Sequence, residues 1–176
     1  MVLSAEALEP RWYAAHTRAN HEKRVRERLE QKSVESFLPM YETVRRWKDR
    51  RMRVRLPLFP GYLFVRTAMV DRLRVLHVPS VVRLVGFNGT PSALPDEEID
   101  ALKQALVYGV RAEPHPFLTV GRRVQVKNGP FMGRHGILLR RKGSLRLVLS
   151  IDLIQRSVVI DVDAADVEPI LGNDTR

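Results

Sequence analysis

Positively charged side chains are concentrated in the first third of this 176-residue sequence. Residues 11–55 hold fourteen lysines and arginines against six acids, which places +8 of the net charge of +10 in that stretch. Guanidinium and ammonium groups bind phosphate oxygens, so this cluster indicates recognition of a polyanion, chiefly nucleic acid. The alternative is a basic surface that is merely solvated.

The sequence lacks the patterns typical of enzymes. Its five histidines form no H-x-x-x-H pair, and neither a G-x-S-x-G motif nor a P-loop occurs. The absence of cysteine excludes thiolate zinc sites and is consistent with a reducing compartment. No apolar run reaches the roughly 18–20 residues of a membrane span. We therefore expect a non-enzymatic, cytoplasmic monomer that has no cofactor or metal and does not associate with membranes.

Two aromatic motifs occur in the first hundred residues. The dipeptide Trp12-Tyr13 lies in a short apolar run, and "FPGY" at 59–62 interrupts an otherwise apolar stretch. Aromatic rings around a rigid Pro-Gly break offer contact area at low entropic cost, as interface hot spots do. The alternative is that Trp12 and Phe59 fill the core.

Hydrophobic periodicity predicts an α+β organisation for residues 11–107. Strands are expected at 11–17, 34–47, 51–56, 61–67 and 80–87, and helices at 20–32, 70–78 and 95–106. Asn20 is the expected N-cap of the first helix. The few apolar positions of that helix, Val25 and Leu29, leave it a wide basic face.

The last third of the sequence is predicted to be all-β. Residues 108–118 contain two prolines and no periodicity, so we interpret them as an interdomain linker. Five short strands follow within 119–171, which is typical of a small barrel. The segment "NGPFMGRHG" lacks the Lys-Ser/Thr of a phosphate loop, so its glycines predict a tight turn that needs positive φ.

In this order and spacing, these motifs resemble the NusG family of transcription elongation factors. The first part is similar to an NGN domain in W-Y, F-P-G-Y and "VVRLVGF", and the second to a KOW domain in V-x-V-x-x-G-P-F-x-G-x-x-G. The resemblance covers residues 11–170. It implies an antiparallel sheet flanked by helices, followed by an SH3-like barrel. The KOW turn comprises Gly129, Pro130, Phe131, Gly133 and Gly136.

The resemblance implies that the NGN domain binds RNA polymerase. In the family, a hydrophobic depression on this domain receives the tip of the clamp helices of the largest polymerase subunit. The positions that match this surface are Trp12, Tyr13, Phe59, Pro60 and Tyr62.

The resemblance also implies a nucleic-acid contact. In members that read sequence, the start of the first helix meets the non-template DNA strand. The matching positions are Arg18, His21, Arg24 and Arg28. The alternative is a solvated helix face. The alternating Arg51, Arg53 and Arg55 either extend this track or protect an edge strand from aggregation.

The KOW domain is expected to bind a further partner. Family members use a loop with an aromatic residue followed by Gly-Arg to bind a small-ribosomal-subunit protein or the termination factor Rho. The chain departs from that pattern, because the matching residues are Ile154, Gln155 and Arg156. Ile154 is the expected apolar plug.

Two roles within the family fit the sequence. The basic first helix, the altered KOW loop and the stretch from 37 to 65 resemble specialised antitermination paralogues, including RfaH, more than the general elongation and termination factor. Arg72 and Arg74 replace the polar His/Thr motif by which such paralogues contact the second-largest subunit. Because β-branched residues are dense at 145–162, we expect a permanent barrel there and not a helical hairpin. Outside this role, a ribosome-associated KOW protein that binds RNA is the alternative.

Overall fold

The computed structural model describes residues 4–117, 121–141 and 144–170. The chain divides into two compact units, Met1–Asp100 and Ala101–Arg176. Among the described residues, no helix has the length and apolar character needed to cross a membrane. The predicted end of the linker at 118 and the predicted domain bounds at 119 and 171 lie outside the described residues.

The first unit is α+β, as predicted. Its helices are α1 (Ala5–Leu8), α2 (Glu22–Gln31) and α3 (Arg72–Leu76), and α4 (Asp96–Val107) crosses the boundary between the units. Its strands are β1 (Arg11–Thr17), β2 (Glu35–Phe37), β3 (Met40–Trp47), β4 (Arg50–Pro57), β5 (Tyr62–Thr67), β6 (Val81–Leu84), β7 (Gly86–Phe87) and β8 (Thr90–Pro91). A four-stranded antiparallel sheet in the order β2-β5-β1-β6 forms the centre of the unit.

Strand alternation gives this sheet two apolar faces. Tyr13 and Ala15 of β1 share one face with Leu63 and Val65 of β5, and this face packs in one cluster with α2. The opposite face carries Trp12, Ala14 and Phe64, which are also buried. Because both faces of β1 and β5 are covered, these strands are apolar nearly throughout.

The first long helix confirms the narrow apolar stripe but not the predicted cap. Val25 and Leu29 are fully buried. The helix begins after His21, whose side chain makes no capping hydrogen bond, and Asn20 lies in the preceding turn with φ +62. Asparagine tolerates this left-handed conformation, so Asn20 ends a turn instead of capping the helix.

Strands β3 and β4 form a separate two-stranded ribbon. The pairing of Trp47 with Arg50 leaves a two-residue turn, Lys48-Asp49, and Lys48 has φ +50. Lys48 and Asp49 therefore form a charged hairpin tip. We call residues 40–57 the arm.

Beyond α4, the second unit is the predicted all-β domain. Its strands are β9 (Ala112–His115), β10 (Arg122–Val126), β11 (His135–Arg141), β12 (Ser144–Ile151), β13 (Arg156–Val162) and β14 (Val167–Pro169). They form one six-stranded sheet in the order β14-β10-β11-β12-β13-β9. Within the predicted interdomain linker at 108–118, residues 112–115 form a strand, because β9 pairs with β13. Prolines 114 and 116 permit this because an edge strand needs only one bonded side.

Gly136 is required by close packing between β11 and β12. A Cβ atom there would lie 2.7 Å from the Leu147 Cδ1 atom and 2.7 Å from the Val148 carbonyl oxygen. We predict that Gly136→Ala destabilises the second unit by about 1–3 kcal/mol through overpacking. Hydrogen exchange of the β11 and β12 amides measures this loss. His135→Ala, at the exposed neighbouring position, is the control and should leave protection unchanged; equal protection in both variants would contradict the packing account.

Candidate functional site

The "FPGY" motif forms a tight turn between β4 and β5. The Tyr62 N–H donates to the Phe59 carbonyl at 3.0 Å, and Gly61 has φ +83. Proline at the second position and glycine at the third are the signature of a type II turn. The Pro-Gly break therefore fixes the residue at which β5 begins.

A buried carboxylate ties this turn to α2. The Gly61 N–H donates to Oε1 of Glu22 at 2.7 Å, and Glu22 is only 4% exposed. Glu22 is also the first residue of α2, where the helix dipole stabilises a negative charge. The link between Glu22 and Gly61 holds the start of the basic helix against the aromatic turn.

Backbone contacts complete this connection. The Thr17 N–H donates to the Gly61 carbonyl at 2.8 Å, and the Arg18 N–H donates to the Ser80 carbonyl at 2.9 Å. Nδ1 of His21 lies 2.7 Å from Oγ of Ser80. We call residues 17–22, Gly61 and Ser80 the junction, because the ends of β1, β5 and β6 meet α2 there.

Three of the predicted polymerase-binding residues are buried. Trp12, Tyr13 and Phe59 are 3%, 5% and 1% exposed. Phe59 packs edge-on against Phe64 with ring centroids 5.7 Å apart, and burial raises the pKa of Tyr13. The expectation that these rings line an accessible surface needs correction, because they fill the core of the folded chain.

The other two predicted residues lie at the surface. Pro60 is exposed and Tyr62 is half-buried. The Tyr62 ring stacks on His16, with ring centroids 5.0 Å apart and an angle of 25° between planes. Arg83 pairs with His16 on the neighbouring strand and so belongs to the same face of the sheet. Tyr62, His16 and Pro60 therefore form a small, rigid surface beside the junction.

The predicted nucleic-acid residues lie together on the other side of the junction. His21, Arg24 and Arg28 follow helical spacing along one face of α2, and Arg18 is joined to His21 through Ser80. Arg18, Arg24 and Arg28 are exposed. Within the described part of the chain none of the three takes part in an ion pair. These guanidinium groups are thus available to an anion.

Glu22, His16 and Ser80 were missed by the sequence reasoning. A signal for Glu22 was present, because residues 22, 25 and 29 share the helical spacing of the buried stripe. An acid on that stripe needs a buried partner. His16 and Ser80 left no comparable signal, since their roles depend on strand pairing.

The predicted partner segment of the second unit forms a 3₁₀ turn followed by β13. Ile154 is buried at 3% exposure, so it cannot be an accessible plug as expected. Gln155 and Arg156 are exposed. Gln155 has φ +51, a conformation that favours glycine. The turn is therefore left-handed although glutamine stands at that position.

The glycine-rich turn has the predicted geometry. Gly129 and Gly133 have φ values of +87 and +82, and Phe131 is buried. The turn lines a cleft of about 630 Å³ in the second unit. Asp161, Asp163 and Asp166 also line it, but among the described residues no group of His, Asp or Glu is arranged to hold a metal ion.

Comparison with known proteins places the chain in a family. A family model described as "Transcription termination factor nusG" matches residues 10–103, which include the junction and the arm. This match covers more than half of the chain. The chain belongs to the NusG family.

Relatives and solved structures support the NusG assignment. The transcription termination/antitermination protein NusG of Staphylococcus aureus (strain N315) is 30% identical, covering 96% of this chain and 100% of the relative. The NusG of Staphylococcus carnosus is 28% identical over the same shares. A structure titled "Domain interaction in Thermotoga maritima NusG" has 24% identity and a TM-score of 0.64, and the alignment covers 93% of this chain and 99% of that one. This structural likeness supports the NusG fold.

The Glu22–Gly61 hydrogen bond yields a stability prediction. Glu22→Ala leaves the Gly61 N–H unpaired and should cost about 2 kcal/mol, because hydrogen bonds to charged groups contribute about 1.5–3 kcal/mol. Glu22→Gln retains an acceptor oxygen and should cost less. Both tryptophans lie in the first unit, so tryptophan fluorescence during urea unfolding reports on this unit.

Glu27→Ala is the matched control, since Glu27 is exposed on the same helix. It should change stability by no more than about 0.5 kcal/mol. Equal stability of the Glu22→Ala and Glu27→Ala variants would contradict a structural role for the Glu22–Gly61 bond.

Proposed function

We propose that this protein is a bacterial transcription elongation factor that binds RNA polymerase through its first unit and modulates pausing and termination. The observation that carries the proposal is the NusG match across residues 10–103, which spans the junction and the surfaces on both sides of it. The names of the relatives, which mention both termination and antitermination, agree with a role in transcript elongation.

The polymerase-binding surface is proposed to centre on Pro60 and Tyr62. Trp12, Tyr13 and Phe59 support this surface from inside, because their buried rings fix the sheet and the turn that present it. A tyrosine held by stacking loses little side-chain entropy on binding, which is the behaviour expected of an interface hot spot. The partner is the helical tip of the clamp in the largest polymerase subunit.

The basic face of α2 is proposed to contact the non-template DNA strand. Arg18, Arg24 and Arg28 supply phosphate contacts, and His21 is oriented by Ser80. Because the junction joins this face to the turn at Gly61, a polymerase docked at Tyr62 would hold single-stranded DNA within reach of the helix.

The second unit is proposed to recruit a further partner through Gln155 and Arg156. Both side chains are exposed on a turn whose shape is fixed by the buried Ile154. A small-ribosomal-subunit protein and Rho are the candidate partners.

We favour a specialised antitermination factor over the general factor. The support is the high positive charge of residues 11–55 and the replacement of the aromatic-Gly-Arg loop by Ile154, Gln155 and Arg156. The general elongation and termination role is the second candidate, and the 30% identity to a relative named NusG over its whole length favours it.

Tyr62→Ala should weaken polymerase binding about 30-fold, the effect of losing an interface hot spot worth about 2 kcal/mol. Purified RNA polymerase and the full chain are compared by biolayer interferometry. Phe87→Ala is the matched control, because Phe87 is 68% exposed in the same unit but lies outside the proposed surface. Equal polymerase binding by the wild type and the folded Tyr62→Ala variant would contradict the proposed binding site. Binding to ribosomal RNA without any to polymerase would favour the ribosome-associated alternative.

The double variant Arg24→Gln/Arg28→Gln should bind single-stranded DNA less tightly. Each lost phosphate contact lowers the slope of log affinity against log salt by about 0.7, so a decrease of about 1.4 is expected. Fluorescence anisotropy with a labelled oligonucleotide measures the slope. Arg122→Gln/Arg123→Gln changes the net charge equally and should leave the slope near the wild-type value. A solvated helix face would instead give two indistinguishable variants.

A further inference from the structure

The arm carries a high density of positive charge. Seven lysines and arginines lie within residues 40–57 against two acids, Glu42 and Asp49, so this short ribbon carries half of the chain's net charge. In the part of the chain that the structure describes, none of the seven basic side chains forms an ion pair. A two-stranded ribbon gains no stability from such self-repulsion.

The register divides the arm into two different faces. The face that we call the basic face carries Arg46 and Arg51 as a directly opposed pair, Arg53 opposite Val44, and Arg55 opposite Glu42. All of these positions are exposed. The other face is partly covered at its base by Tyr41, Thr43, Val54 and Leu56. Toward the tip, Arg45, Trp47, Arg50 and Met52 of that other face are exposed as well, so the basic face is the one that is exposed along its whole length.

Protection against edge-to-edge aggregation does not account for this arrangement. Scattered single charges are sufficient to protect an edge strand. Arg46 and Arg51 instead face each other across the ladder, and like charges at such positions destabilise a strand pair. A bound polyanion would remove this repulsion, so the pair is better suited to binding than to protection.

The spacing on the basic face matches duplex nucleic acid. Arg51, Arg53 and Arg55 alternate along β4, so they lie about 6.8 Å apart, at about 3.4 Å per residue. Phosphates follow each other every 3.4 Å of axis along one strand of B-DNA, so a strand that runs along that axis would place successive arginines at every second phosphate. The ribbon also has the width that the major groove of B-DNA admits, whereas the major groove of A-form RNA is too narrow for it.

We infer that the arm is a second nucleic-acid site, which binds double-stranded DNA through Arg46, Arg51, Arg53 and Arg55. This site is distinct from the α2 face in its element, its residues and its ligand, which is a duplex and not a single strand. The inference does not depend on polymerase binding, because the arm should hold DNA in the free protein.

The test compares the full chain with two triple variants of equal charge. Arg46→Gln/Arg51→Gln/Arg53→Gln removes three of the arm's four proposed contacts, and Arg122→Gln/Arg123→Gln/Arg140→Gln removes three exposed charges from the second unit. Anisotropy is measured with a 20-base-pair DNA duplex, the corresponding RNA duplex and a single DNA strand. The salt slope for duplex DNA should fall by about 2.7 in the arm variant, at about 0.9 per phosphate contact. The control should retain the wild-type slope.

The site is supported if only the arm variant loses binding to duplex DNA, and if it loses more there than with either other probe. Equal losses in the two variants would show a general charge effect and overturn it. A larger loss in the arm variant for the RNA duplex or the single strand than for the DNA duplex would overturn the assignment of the ligand. If the arm variant does not fold, the test is the change in backbone amide chemical shifts of the wild-type protein when the DNA duplex is added. Shifts concentrated at 44–53 support the site, and shifts elsewhere overturn it.

Discussion

The hydrogen bond between the Glu22 carboxylate and the Gly61 N–H joins the two halves of the first unit's surface. Glu22 is buried at the start of α2, and Gly61 lies in the turn that begins β5. A buried carboxylate without this partner would be unfavourable. The position of the basic helix is therefore linked to the position of the aromatic turn, and the surfaces proposed to meet polymerase and DNA have a fixed relation.

This constraint explains why the motif "FPGY" matters although most of its aromatic area is hidden. Phe59 contributes packing against Phe64, whereas Pro60 and Gly61 set the turn. Only Tyr62 presents a ring near the surface, where it stacks on His16. Replacing Phe59 would damage the fold and the binding surface together, which is why a substitution at Tyr62 separates the two better.

The fold could be predicted from the sequence because its signals are local. Hydrophobic periodicity identified the long helices and central strands of the first unit, and short strands were expected in the second. The site was predicted less well, since residue type does not reveal burial. Trp12 and Phe59 have the composition of a hot spot yet fill the core, and Ile154 does the same in the second unit. The role of β9 depends on pairing with β13, a distant contact that Pro114 and Pro116 conceal from local patterns.

The central claim is that the turn displays Tyr62 to a helical tip of RNA polymerase. A photoreactive p-benzoylphenylalanine at position 62, compared with one at the exposed Phe87, tests it directly in complexes with purified polymerase. The account predicts a crosslink from position 62 to the clamp helices of the largest subunit and none there from position 87. Crosslinks from both positions to the same region, or from neither to the clamp, would contradict it.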